Sequence, residues 1–275
     1  MQFTAHNILL NNGKKTLGDD HILFSDSAVW TSIKSTIDLF LPGSREERNK
    51  LRSVDLGCLE GAYTAELAKL GFDSLGIEAR EDNIAKCNYV KENLNLPNLH
   101  FAQDDVRNVA NYGKFDVTLC YGLLYHLNDP VDFLKRIGDN TNKLLLLNTH
   151  FAPERDIRYR LGFLNKYVIG PIQKRTHFLE YQKNYRLSAL TKNEGFRGRW
   201  FKEWSPNQDR AKIEKSLWAS YNNNRSFWLC KKDLTQALHD AGFNHVFEQF
   251  NYTGDIFPDN YTQHYNRTMF VALKQ

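Results

Sequence analysis

The 275-residue chain has no apolar run approaching the ~20 residues that cross a bilayer, no Cys-x-x-Cys pair and no His-rich tract. No membrane helix is therefore expected, and the LLLL run at 144–147 has the length of a buried strand. Cysteine is scarce and scattered, at 58, 87, 120 and 230, which argues against a disulfide framework or a structural zinc and leaves no metal assigned. Proline numbers only 7, against 5 Trp, 13 Tyr and 18 Phe, so the chain can bury a large core and reads as neither disordered nor fibrous. The opening MQFTAHNILLNNGKK lacks the cationic end and apolar stretch of a secretory leader, so a cytoplasmic protein without a membrane partner is expected.

What is present is unevenly spread. The net charge of +4 conceals 16 Lys and Arg against 7 Asp and Glu over 151–230, a segment that also holds four of the five tryptophans. The rest of the chain is acidic on balance. The implied organisation is an N-terminal helical extension over 1–50, a core in two pieces, 51–150 and 231–275, and a basic, aromatic insertion over 151–230 that reads as a substrate-recognition region or lid.

From Arg52 onward, short apolar runs alternate with helical stretches. SVDLG (53–57), DSLGIE (73–78), NLHFAQ (98–103), KFDVTLCYG (114–122) and KLLLLNTH (143–150) read as strands; AYTAELAKLG (62–71), REDNIAKCNYVKENLNL and a stretch beginning near DPVDFLKRI (129–137) read as helices. Such alternation predicts an α/β fold with a mostly parallel sheet covered on both faces. SAVWTSIKSTIDLFL (27–41) reads as a helix ahead of the first strand. The rhythm breaks over 151–230, where strand alternation is not evident and a few short helices or a lid are expected. It resumes with KKDLTQALHDAGF (231–243) as a helix and HVFEQF (245–250) and RTMFVALK (267–274) as strands.

The chemistry concentrates at successive strand ends, where ligands of parallel sheets bind. VDLGCLEG (54–61) is a turn between strand and helix in which Gly57 and Gly61 let the backbone approach a ligand, Asp55 can accept a hydrogen bond from an amine, and the following helix presents free N–H groups. Glu78 in LGIEAR is positioned to bind two ribose hydroxyls, and Asp105 in FAQDDV to accept an adenine amino group. Three acids at three successive strand ends specify a nucleoside site more sharply than any one glycine turn. A nicotinamide dehydrogenase would share strand, turn, helix and acid, but its G-x-G-x-x-G spacing is absent, with Cys58 and Leu59 inside the turn.

These residues resemble the class I S-adenosylmethionine-dependent methyltransferases, over about 50–150 and, less distinctly, 231–274. The resemblance implies a Rossmann-like fold with a seven-stranded sheet, and S-adenosyl-L-methionine as cofactor. It puts the amino-acid half of that cofactor on the turn holding Asp55, Gly57, Cys58 and Gly61, the ribose on Glu78 beside Ala79, and the adenine near Asp104, Asp105 and Val106. Leu59 departs from the pattern by standing where the family's middle glycine usually is. FDVTLCYGLLYHLNDP (115–130) resembles the family's fourth motif, which makes Tyr121, Tyr125 and His126 candidates to face the methyl group, with His126 a candidate base or else a loop-fixing histidine. Tyr121 also borders the cofactor.

In the insertion, RGRWFKEW (197–204), SLWAS (216–220) and NRSFWL (224–229) interleave tryptophans with arginines. Flat rings and guanidinium forks suit an anionic acceptor, so Arg199, Trp200 and Arg225 are the expected acceptor site, the alternative being that each only packs the insertion. The expected partner is a small-molecule acceptor. A second reading is tRNA modification, because LLYHLNDPVDFL and NRSFWLCKKDLTQALHDAGF are similar to the tRNA wobble-uridine carboxymethyltransferase family, whose cofactor is a carboxylated relative. A third is a noncatalytic cofactor-binding subunit.

Overall fold

The computed structural model describes residues 1–154, 167–168, 187–205, 207–216, 219–249 and 266–274. Its frame is a seven-stranded sheet of β1 (Arg52–Leu56), β2 (Asp73–Glu78), β3 (Leu99–Gln103), β4 (Phe115–Tyr121), β5 (Thr141–His150), β9 (His245–Gln249) and β10 (Arg267–Leu273), in the order β3-β2-β1-β4-β5-β10-β9. Strands β1 to β5 pair in parallel, and β10 runs antiparallel to both β5 and β9. The order reverses between β1 and β4, which opens a crevice at their carboxyl ends.

Helices cover both faces, and the apolar runs show why. In β5, Leu145 and Leu147 enter one core with Phe115 and Phe270, while Leu144 and Leu146 enter the other with Val117, Leu119 and Val271. A strand buried on both sides needs an unbroken apolar run rather than alternation. Helix α1 (Ala28–Phe40) starts where Ser27 Oγ accepts from Trp30 N at 3.2 Å and buries Trp30, Ile33 and Ile37 at helical spacing. Then follow α2 (Arg45–Arg48), α3 (Ala62–Lys69), α4 (Glu81–Leu94) and α5 (Pro130–Asn140), the last with proline at its first position, where no N–H is needed. No helix among the described residues is long and apolar enough to cross a membrane.

The insertion differs from its sequence-based expectation. Its described part is a second, antiparallel sheet of β6 (Thr191–Asn193), β7 (Phe196–Lys202) and β8 (Arg225–Leu229), with the short α6 (Arg210–Lys215) between β7 and β8 and α7 (Lys231–Asp240) after them. Glu194 (φ 51°) and Gly195 (φ 87°) form the two-residue hairpin turn, both left-handed as such turns require. The Glu194 carboxylate accepts from the backbone N–H of Val131 and Asp132 at 3.0 and 2.7 Å, which caps α5 and anchors the hairpin to the core. Residues 155–166 and 169–186, where short helices were expected, lie outside the described residues apart from 167–168.

The second sheet docks on the turn Leu124–His126 that follows β4. Phe227 N donates to Leu127 O at 2.8 Å and Trp228 Nε1 to Tyr125 O at 2.9 Å. The insertion, expected as a substrate-recognition region or lid, therefore contributes to one wall of the crevice.

Candidate active site

The crevice is a cavity of about 230 Å³. From β1 and its turn come Asp55, Gly57, Cys58 and Leu59; from β2, Glu78 and Ala79; from the end of β3, Asp105 and Val106; from β4, Tyr121; and from the turn after it, Tyr125 and His126. Of the residues expected at a cofactor, only Gly61 and Asp104 do not line it.

Asp55 is buried, accepts a 2.8 Å hydrogen bond from Thr64 Oγ1, and is pushed up to about 7 by burial, with Glu78 nearby adding to the rise. Two buried carboxylates facing one cavity favour a bound cation, such as an α-ammonium group, that would restore the ionised form of Asp55. Glu78 is also raised by burial, while Oε1 accepts from Arg80 N at 2.9 Å and Oε2 from Leu59 N at 3.1 Å, so its head is held rigidly. Leu59 sits at φ 52°, the left-handed region that glycine enters freely. Leu59 thus takes up a glycine-like backbone and gives its N–H to Glu78.

Gly57 lines the cavity, whereas Gly61 packs against its neighbours. A Cβ on Gly57 (φ 73°) would lie 3.3 Å from Leu123, and one on Gly61 (φ 85°) 2.7 Å from the Phe101 ring. Gly61 therefore lets α3 settle against β3. Asp104 points away from the cavity: its carboxylate accepts from Asn108 Nδ2 at 2.7 Å and Tyr112 Oη at 2.9 Å. Asp105 faces it, with Oδ1 accepting from Arg107 N at 2.9 Å.

Tyr121 stacks on Tyr63, the rings 5.0 Å apart, and the half-buried Tyr125 packs against His126 and His150 with its hydroxyl pushed up by desolvation. His126 Nδ1 lies 2.9 Å from Glu203 Oε1, a carboxylate 5% exposed at the end of β7. Arg267 on β10 brings a guanidinium to the same cavity, 5.6 Å from the Tyr125 ring, with Nε donating to Asn148 Oδ1 at 2.8 Å. His6 also reaches the wall. The buried carboxylate of Glu60 ties down its strap by accepting from Thr4 N at 2.9 Å and Ala5 N at 3.0 Å, itself balanced by Lys86 Nζ at 2.7 Å. Burial drives the His6 imidazole down to about 4, so the ring is neutral.

The insertion closes the cavity with residues other than those expected. Ala219 to Asn223 line it, held down by Arg80, whose guanidinium donates to the carbonyls of Ile213 and Ala219 at 2.8 Å each, and by Trp204 Nε1, which donates to Ser220 O at 2.9 Å. Arg199 is fully buried and donates to the carbonyls of Pro153 (2.8 Å) and Ser188 (2.9 Å). Trp200 packs on Phe227 at 5.0 Å, and the exposed Arg225 lies 4.0 Å over the Trp200 ring. The structure thus groups Arg225 with Trp200 and brings none of the three into the cavity. Trp218 lies outside the described residues.

His6, Glu203 and Arg267 were not singled out from sequence. Glu203 stood inside RGRWFKEW, where the surrounding arginines and tryptophans drew the reading; His6 and Arg267 have no neighbours in sequence that mark them.

Comparison with known proteins bears on the same residues. A family model described as a methyltransferase domain matches residues 47–151. The chain is 25% identical over 145 residues to a ubiquinone biosynthesis O-methyltransferase of Rickettsia typhi, covering 52% of this chain and 57% of that protein. It is 28% identical over 168 residues to a tRNA U34 carboxymethyltransferase of Campylobacter fetus, covering 55% and 57%. The chain thus spans a little over half the length of the curated relatives it matches. Among solved structures, the N-terminal domain of EvdMO1 with S-adenosylhomocysteine bound superposes with a TM-score of 0.63 at 23% identity, covering 98% of this chain and 90% of that one. A 1,6-didemethyltoxoflavin-N1-methyltransferase of Burkholderia thailandensis gives 0.52 at 12% identity, covering 92% and 80%. At these identities the likeness is one of fold. The family match lies on the strands and turns that carry Asp55, Glu78, Asp105 and Tyr121, and the chain shares the Rossmann-like α/β fold of the EvdMO1 N-terminal domain.

Proposed function

We propose that this protein transfers a methyl group from S-adenosylmethionine to a small anionic acceptor. The observation that carries the reading is the convergence on one cavity of three acids from three strand ends, Asp55, Glu78 and Asp105, with Tyr121, Tyr125, His126 and Arg267 also lining it. The donor set suits the cofactor: Glu78 can accept from a ribose diol, Asp105 from an exocyclic amine, and Asp55 is a buried carboxylate that a cation would stabilise. When bound, the cofactor supplies a methyl group already activated on a sulfonium. The protein's remaining work is to place the acceptor in line and keep water out.

Arg267 supports an anionic acceptor, since it is the guanidinium that the fold brings beside Tyr125. Enclosure by Ala219 to Asn223 supports a small one. In the insertion, Arg197 pairs with Asp233 at 2.9 Å and Arg210 with Glu214 at 2.8 Å, so part of its basic charge is neutralised within the fold. The tRNA reading draws on the Campylobacter relative and the basic insertion, and it requires binding that weakens by about 0.7 to 0.9 in log affinity per phosphate contact for each unit of log salt.

Mass spectrometry of the ligand retained on purification, with calorimetry of S-adenosylhomocysteine binding, tests the proposal. Ordinary S-adenosylmethionine or its demethylated product is expected; a carboxylated cofactor and salt-dependent tRNA binding would move the assignment to tRNA modification. Binding without transfer to any acceptor would favour a noncatalytic subunit.

A further inference from the structure

Building on the methyl-transfer reading, we propose that His126 and Glu203 act together as a general base for a hydroxyl acceptor, His126 as the catalytic residue and Glu203 as the residue that positions it. The two come from distant parts of the chain, the turn after β4 and the end of β7, and meet only because the second sheet docks on that turn.

The geometry dictates the imidazole's tautomer. An ionised carboxylate offers only lone pairs, so the 2.9 Å contact with Glu203 Oε1 requires the hydrogen on His126 Nδ1 and puts the neutral ring's lone pair on Nε2. Glu203 is itself fixed: Oε1 accepts from Ser226 Oγ at 2.8 Å and Oε2 from Ser220 N at 3.5 Å. The turn bearing the ring is held by His126 N donating to Leu123 O at 2.8 Å and by Asn223 Nδ2 donating to His126 O. The Tyr125 ring packs against the imidazole at 4.3 Å. Among the described residues Nε2 makes no hydrogen bond, and His126 lines the cavity.

Such a base selects the acceptor atom. A neutral amine attacks with its own lone pair, and a thiol with a pKa of about 8.5 ionises without help, whereas an alcohol or phenol must lose its proton as it attacks. The acceptor oxygen gains the methyl carbon, its proton passes to Nε2, the C–S bond breaks with its electrons going to sulfur, and S-adenosylhomocysteine leaves as a neutral thioether. The resulting imidazolium is stabilised by the Glu203 carboxylate. A histidine that merely fixed the turn would not need a buried carboxylate on one ring nitrogen while lining the cavity.

Two readouts test the inference. With radiolabelled S-adenosylmethionine and an isosteric pair of anionic probes, para-hydroxybenzoate and para-aminobenzoate, label is expected on the hydroxyl probe alone. His126→Asn is expected to lower kcat about 100-fold or more, and Glu203→Gln about tenfold, both with S-adenosylhomocysteine affinity retained. Nitrogen-15 NMR of the S-adenosylhomocysteine complex, which needs no acceptor, is expected to show hydrogen on Nδ1 of His126, and Glu203→Gln to disturb that tautomer. Hydrogen on Nε2, label on the amino probe as readily as on the hydroxyl probe, or a His126→Asn enzyme within a few-fold of the parent would overturn the base. Loss of S-adenosylhomocysteine binding in the parent protein would instead remove the methyl-transfer reading beneath it.

Discussion

The strand ends of the parallel sheet and the antiparallel sheet of the insertion both carry charged residues among aromatics, yet they use the charges in opposite ways. At the strand ends, Asp55 and Glu78 are buried with their carboxylates facing a cavity, and burial raises both. In the insertion, the buried Arg199 is turned on backbone carbonyls and the exposed Arg197 on Asp233. The difference follows from backbone direction. Parallel strands end together at one edge where a side chain has no partner strand to face, whereas a three-stranded antiparallel sheet laid on another layer presents its inner side chains to protein. A charge density that reads as a binding surface in sequence can therefore be structural glue.

The sharpest break of this comparison is Arg199→Ala. It leaves the Pro153 and Ser188 carbonyls without their buried donor, and a loss of about 3 to 5 kcal/mol of stability is expected in denaturant titrations, with S-adenosylhomocysteine affinity per folded molecule unchanged. A fall in acceptor kcat/KM without a fall in stability would return Arg199 to the acceptor site.

On the other side, Glu78→Ala should weaken S-adenosylhomocysteine at least tenfold by calorimetry, since a hydrogen bond to a charged group is worth about 1.5 to 3 kcal/mol. Unchanged affinity would remove the ribose assignment. The Leu59 and Arg80 N–H groups would also lose their acceptor, so the turn should become more mobile.

Asp55 gives the comparison a pH axis. Its folded value of about 7 stands above the ordinary 3.8, so the folded state binds more protons across that window. Its contribution is then most favourable below about 4 and is lost as pH rises through 7. Asp55→Asn should raise the ligand-free melting temperature at and above neutral pH and flatten this dependence, while weakening cofactor binding. A variant no more stable than the parent at alkaline pH would show that Asp55 is not strained by burial.

The smallest effect belongs to Arg225→Ala. An exposed cation over the Trp200 ring contributes about 0.5 to 1 kcal/mol, so a shift of a few degrees in melting temperature is the most expected, with kinetics untouched.

The fold was legible where local and global demands agree. Every strand of the main sheet falls within a residue or two of its apolar run, and Gly242 (φ 91°) follows the end of α7 as a stop signal should. The insertion's strands were hidden because β7, FRGRWFK, has no apolar–polar alternation, and Arg199 occupies an inward position that an apolar residue would ordinarily mark. At the site, Asp55, Glu78 and Asp105 were legible because the strand–turn–helix repeat locates each strand end in the sequence itself. The packing of Gly61 on Phe101 was not legible, because a glycine's need for space is the same whether a ligand or a ring fills it.

The sequence by itself determined the parallel sheet, its crossovers and the three acids at its edge, since hydrophobic period and turn chemistry act over a dozen residues or fewer. Only the tertiary structure decided what faces those acids. His6 arrives by way of the strap that Glu60 pins, Arg267 on a strand that returns antiparallel beside β5, and Glu203 through the docking of one sheet on another. Those placements depend on contacts spanning 56 residues between Thr4 and Glu60, 77 between His126 and Glu203 and 119 between Asn148 and Arg267, and no local pattern encodes a distance across the fold.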